Sequence, residues 1–207
     1  MSTLQIIGHA GSNFVWVVRI FCAEKGVAYE LITAPPHSPE AKAVHPLGKI
    51  PGMRHGDVTL CESRAICSYI DAVFPGASPI PRDPVAAAKT EQWIAIICTA
   101  IDPMMVRQYL AGYFFPGTAD GKPDRTRIDA ALPKMLPLFD MLERTLASNA
   151  HLTGANFTLA DAYLIPILHY MTELPEASAM IAERPAVKSY LDRQMARPSV
   201  KETIPTH

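Results

Sequence analysis

The chain has 207 residues, 49% of them hydrophobic and 19% charged, which is ample material for one large or two modest packed domains and far from a disordered composition. Its 19 lysines and arginines nearly cancel its 20 aspartates and glutamates, leaving a formal charge of −1. That balance removes the electrostatic case for nucleic acid or an anionic membrane as the main partner. The opening MSTLQIIGHAGS lacks the cationic start and apolar run of a secretory signal, and the longest apolar run, residues 93–98, is too short to span a bilayer. Cys22, Cys61, Cys67 and Cys98 show no paired metal-type spacing. A cytoplasmic protein with reduced thiols and no metal is therefore expected.

Taken in chain order, Leu4-Gln5-Ile6-Ile7 is a short apolar run ended by Gly8 and reads as a buried strand. Phe14, Val17, Val18, Phe21 and Cys22 then recur at helical spacing, and the helix closes at Lys25-Gly26. Residues 29–32 form a second strand, and strand–helix–strand with short connections implies parallel pairing through a right-handed crossover. A proline-rich loop (34–39) leads to a short helix at about 40–44. Residues 52–54 and 58–60 flank His55-Gly56-Asp57 as an antiparallel hairpin, and Ile66, Tyr69, Ile70 and Val73 mark a helix beginning at Ser63. Residues 75–84, PGASPIPRDP, hold four prolines without periodicity and read as a linker. Every long segment beyond them has helical spacing, at about 85–112, 124–147, 158–172 and 185–196, with Pro103 expected to kink the first. The fold class is thus an α/β domain of order βαβ–ββα (1–76), a linker (77–84) and an all-helical domain (85–207). Thr158-Leu159-Ala160-Asp161 reads as a helix start in which Thr158 caps and Asp161 returns a bond to the cap, so Asp161 is structural rather than catalytic.

The stretch HPLGKIPGMRHGDVTLCES (45–63) concentrates Pro46, Gly48, Pro51, Gly52 and Gly56 ahead of Glu62-Ser63. A cis bond before Pro51 would turn the N–H and C=O of Ile50 outward, open to an extended ligand; a trans proline in an ordinary turn is the commoner alternative. Pro46-Leu47-Gly48-Lys49-Ile50-Pro51 and Leu60-Cys61-Glu62-Ser63-Arg64-Ala65-Ile66 together resemble the glutathione S-transferase family. That family's pattern runs N-P-x-G-K/Q-V/I-P and then E-S-x-A-I-x-x-Y-L; here His45 replaces the Asn and Ile70 the final Leu. The resemblance spans the whole chain. It implies a thioredoxin-like domain followed by a helical one, glutathione as co-substrate, a small hydrophobic electrophile as its partner, and a homodimer with Arg64 and the first long helix near the interface.

Carried onto these residues, the resemblance assigns Glu62 to the ammonium of glutathione's γ-glutamyl head and Ser63 to its carboxylate at a helix N-terminus. Ile50, ahead of Pro51, would hold the cysteine moiety through its backbone, and Lys49 and His37 the glycine carboxylate. The chemistry needs a thiolate, yet a thiol of pKa ~8.5 is only a few per cent ionised at pH 7. One hydrogen bond to the anion, about 1.5–3 kcal/mol, with a helix N-terminus, about 0.3–1 kcal/mol, lowers that pKa by about two units. Ser12, ahead of the first helix, is the candidate donor, as in the serine-type (theta- and phi-like) members; the arginine usual a few residues later stands here at Arg19. Asn13 is the alternative donor, His9 a minor contact, and Ser12 as a plain helix cap the bland reading. No tyrosine or cysteine occupies residues 4–13. Phe14, Trp16, Met104, Arg107, Tyr113, Phe114 and Phe115 are candidate lining for an electrophile pocket between the domains, though a core role suits any one of them singly. The competing functions are a non-catalytic binding or scaffold protein of the same fold and a glutathione-dependent isomerase.

Overall fold

A computed structural model describes residues 2–205. The chain divides into two compact units, one comprising the residues up to Ile80 together with those from Ala196 onward, the other running from Pro81 to Met195. The C-terminal segment therefore belongs with the first unit, whereas the sequence grouped it with the helices that precede it.

The first unit is built on a four-stranded sheet in the order β2-β1-β3-β4: β1 (Gln5–Ile7), β2 (Glu30–Ile32), β3 (Gly52–His55) and β4 (Val58–Cys61). β1 pairs parallel with β2 (Ile6 opposite Leu31) and antiparallel with β3 (Ile7 opposite Gly52), and β3 pairs antiparallel with β4 (Gly52 opposite Cys61). The parallel pair is joined by α1 (Asn13–Lys25), the expected crossover. Gly26 ends that helix at φ +72°, a left-handed conformation that glycine adopts without a Cβ clash. A short α2 (Pro39–Lys42) follows β2, and α3 (Ser63–Val73) follows β4. α1 packs on α3, with Ile6, Val17, Phe21, Met53, Ile66 and Ile70 buried, while Ile7, on the other face of β1, packs with Ala34 and Val44.

The last helix, α10 (Pro198–Lys201), packs on α1. Its fastenings are specific: the Trp16 indole N–H donates to Thr203 Oγ1 at 3.0 Å, and Arg197 grips Glu24 through both carboxylate oxygens at 2.5 and 2.7 Å. Trp16 is fully buried, so it is a core side chain and not pocket lining.

In the second unit α4 (Pro84–Ile96), a π-helical stretch (Ile97–Leu110) and α5 (Ala111–Phe114) form one continuous helix of 31 residues. Pro103, expected to kink it, lies inside the π-helical stretch. By length and composition alone this helix is apolar enough to cross a membrane, but it packs against α6 (Arg125–Ala147) and α7 (Leu159–Thr172), as a core helix does. α7 is buried almost all round and forms the centre of the unit, with α8 (Pro175–Ala182) and α9 (Pro185–Met195) against it. At its start Asp161, fully buried, accepts from the Thr158 N–H (2.8 Å), the Leu152 N–H (3.0 Å) and the Tyr190 hydroxyl (3.0 Å), the structural role read from the sequence.

Candidate functional site

The sheet register brings three chain segments to one end of the first unit. Gly52 is opposite Ile7 on one side and Cys61 on the other. The loop after β1, the lead-in to β3 and the turn after β4 therefore lie side by side, at the strand spacing of about 4.8 Å. Those three segments carry Ser12, then Lys49-Ile50-Pro51, then Glu62-Ser63. The first and last of them open α1 and α3, so two helix N-termini belong to the same end of the sheet.

Short bonds hold the β1–α1 loop. The Gly8 N–H donates to the Ile32 carbonyl (3.0 Å), the Gly11 N–H to His9 Nδ1 (3.1 Å) and the Ser12 N–H to the His9 carbonyl (3.0 Å). Gly8 has no room for a side chain: a Cβ there would meet Val15 at 2.5 Å and lie 3.3 Å from Ile50, so the loop passes directly beside the segment before Pro51. Ser12 is the N-cap residue of α1 in extended conformation, and its carbonyl accepts the Trp16 N–H at 2.9 Å. Its hydroxyl makes no capping bond. A serine that caps with its backbone alone keeps its side chain available to something else. Beside it, Asn13 is buried and its Nδ2 has no hydrogen-bond partner among the described residues. A buried donor left this way costs about 1–3 kcal/mol, which an acceptor arriving with a ligand would offset.

The Ile50–Pro51 bond is cis. Neither main-chain group of Ile50 hydrogen-bonds to another backbone group among the described residues, and Pro51 itself is buried. On the outer side, the His37 N–H donates to the Gly48 carbonyl at 2.7 Å, which sets His37 next to Lys49. Gly48 (φ +62°) has His37 Nδ1 only 3.0 Å from where a Cβ would stand. Both His37 and Lys49 are exposed.

Glu62 occupies the N-cap of α3 and makes no capping bond, and its side chain is 71% open to solvent. Its φ of +70° and that of His37, +65°, are the two positive values at non-glycine residues in the described chain. Such conformations persist where the surroundings impose them and cluster at binding sites. Ser63 follows as the first residue of α3 and is buried.

Beneath Glu62 the structure shows a residue that sequence reading did not assign. His45 is 4% exposed; its Nδ1 accepts the Leu47 N–H at 3.1 Å, and its Nε2 lies 3.4 Å from Glu62 Oε1. The signal in the sequence was the exchange of the family's Asn for His45, but its significance depends on a carboxylate 17 positions away.

The residues named for the electrophile are in the second unit, except Phe14 and Trp16. Arg107 is exposed and turned onto Asp102 (2.9 Å), and Met104 is half-buried. Tyr113 donates to Glu176 at 2.5 Å and accepts from Arg125 at 3.1 Å, so its hydroxyl is committed within its own unit. Phe114 and Phe115 are 54% and 74% exposed. Cys22 and Cys67 are buried, and desolvation raises the Cys22 thiol to about 12 and pushes Cys67 well up, which makes both inert. Among the described residues no group of three His, Cys, Asp or Glu side chains is disposed to hold a metal.

The N-terminal domain of glutathione S-transferases matches residues 6–78, and the C-terminal domain of that family residues 95–198. Glutathione S-transferase 3 of Zea mays is 30% identical over 221 aligned residues, covering 99% of this chain and 94% of its own. The crystal structure of glutathione transferase F7 from Populus trichocarpa superposes with a TM-score of 0.87 at 28% identity, covering 97% of each chain. The theta-class glutathione S-transferase of Xanthomonas axonopodis pv. citri, solved with glutathione bound, gives 0.85 at 25% identity over 100% of this chain and 99% of its own. With a thioredoxin-like sheet, a helical second unit and both domain signatures in place, this chain belongs to the glutathione S-transferase family.

Proposed function

We propose that this protein joins the thiol of glutathione to small hydrophobic electrophiles, with the Ser12 hydroxyl donating to the sulfur and stabilising it as the thiolate. The observation that carries the reading is the state of Ser12: it stands at a helix N-terminus, in the loop whose Gly8 lies against Ile50, with a side chain that does not cap. Glu62 meets the γ-glutamyl ammonium, Ser63 and the first turn of α3 the adjoining carboxylate, and the unpaired main-chain groups of Ile50 the cysteine moiety. Lys49 and His37 neutralise the glycine carboxylate. One hydroxyl bond to the anion supplies about 1.5–3 kcal/mol, a lowering of one to two pKa units, and no metal is needed for it.

Nucleophilic aromatic substitution on 1-chloro-2,4-dinitrobenzene, together with ultraviolet titration of the bound thiol, tests the assignment. Ser12→Ala should raise the thiol pKa and lower kcat/KM by about 10–100-fold. An unchanged thiol pKa removes Ser12 from the mechanism, and absence of glutathione binding by the wild type supports the scaffold reading instead.

A second donor has its own observation. The orphaned Nδ2 of buried Asn13 favours Asn13 as the group that meets the sulfur, or as a partner to Ser12 in doing so. Asn13→Ala in the same titration separates the two. The working form is a cytoplasmic homodimer, testable by sedimentation.

A further inference from the structure

We infer that His45 is a positioning residue for the γ-glutamyl ammonium of glutathione, acting through Glu62; this rests on the glutathione reading above and extends it to a group that does not itself meet the ligand. Three observations carry it. His45 is 4% exposed, so its ring has one orientation set by packing. Its Nδ1 lone pair is taken by the Leu47 N–H at 3.1 Å, which leaves the ring proton on Nε2, the nitrogen that faces Glu62 Oε1 at 3.4 Å. Glu62, in turn, is 71% exposed, sits at φ +70° and makes no capping bond, so its own surroundings do little to choose a rotamer.

A solvated glutamate loses rotamer freedom when a cation pins it, and that loss subtracts from the affinity of the pair. A buried ring nitrogen 3.4 Å from one carboxylate oxygen favours the rotamers that keep the carboxylate there and so removes part of that freedom beforehand. The arrangement matches the way buried partners orient the groups that make the contact. It also gives the Leu47-Gly48 loop a direct mechanical tie to the head-group contact, since the backbone that fixes the imidazole is the backbone that leads to Lys49.

The test uses two ligands that undergo no chemistry: S-methylglutathione and S-methyl-glutaryl-cysteinyl-glycine, which lacks only the α-amino group. Calorimetry on the full chain should show that the wild type prefers S-methylglutathione, that His45→Ala weakens S-methylglutathione by about tenfold, and that it leaves the amino-less ligand almost untouched. His45→Asn, which restores the family's hydrogen-bond donor, should recover part of the preference. Glu62→Gln should abolish it, and adding His45→Ala to Glu62→Gln should cost nothing further. Equal losses for both ligands in the His45 variants would overturn the inference, because a merely structural histidine disturbs the whole loop. Should His45→Ala fail to fold, His45→Asn and His45→Gln carry the same comparison. If the wild type binds neither ligand, the glutathione reading falls and this inference with it, an outcome distinct from equal losses.

Discussion

The start of α7 and the starts of α1 and α3 use the same chemistry, a hydroxyl and a carboxylate near exposed backbone N–H groups, to opposite ends. At α7, Asp161 is fully buried and accepts from Thr158, Leu152 and Tyr190, so every lone pair that matters is spoken for. At α1 and α3, Ser12 and Glu62 occupy cap positions and neither side chain caps. A helix start whose polar groups are all satisfied internally holds a fold together. One whose side chains are left over is available to a ligand.

The largest effect that this contrast predicts is at Asp161. Asp161→Ala strands several buried donors at once and should cost on the order of 3 kcal/mol or more in chemical denaturation. A loss under about 1 kcal/mol would break the contrast from that side. Ser12→Ala should do the reverse: unfolding free energy within about 0.5 kcal/mol of wild type, because no cap is lost, with the fall in turnover described above. Glu62→Gln comes next, raising the glutathione KM by about tenfold with little change in kcat, since an ammonium contact remote from sulfur contributes mainly uniform binding.

The smallest effect concerns Glu176, the counter-example to Glu62. Desolvation alone would raise its carboxyl, but hydrogen bonds from Tyr113, Arg125 and Tyr109 overcome that and hold it at about 2, below the ordinary 4.5. A depressed carboxylate contributes stability that is present above about 4.5 and fades as pH falls toward about 2. Stability should therefore rise with pH across that window, and Glu176→Gln should flatten the slope. An unchanged slope in the variant would show that the Tyr113–Arg125 contacts carry no weight in solution.

The crossover, the hairpin and the two-unit plan were legible because each is written in local spacing. The α1 stripe, the Gly26 stop and the Gly56-Asp57 turn depend on neighbours within a few residues. α8 and α10 were not read from the sequence; each opens on a proline, Pro175 and Pro198, in the first helical turn, where the missing N–H costs nothing. Trp16 took the core role and not the lining one; helical spacing shows which face is apolar but not what covers it, and Thr203 is 187 positions away. Ser12, Ile50-Pro51 and Glu62-Ser63 were singled out by the family pattern, and the sheet brings their segments to one end. His45 was not, because its Nε2 acquires meaning only when β4 returns Glu62 beside it.

The end of the chain has a consequence for how the protein is made. Trp16 and Glu24, both on α1, are completed by Thr203 and Arg197. A ribosome that has released only the first 80 residues has produced a sheet and two helices whose tryptophan and glutamate have yet to meet their partners. Removing the segment from Arg197 to Thr203 should therefore loosen α1, which lies more than 170 residues earlier in the chain.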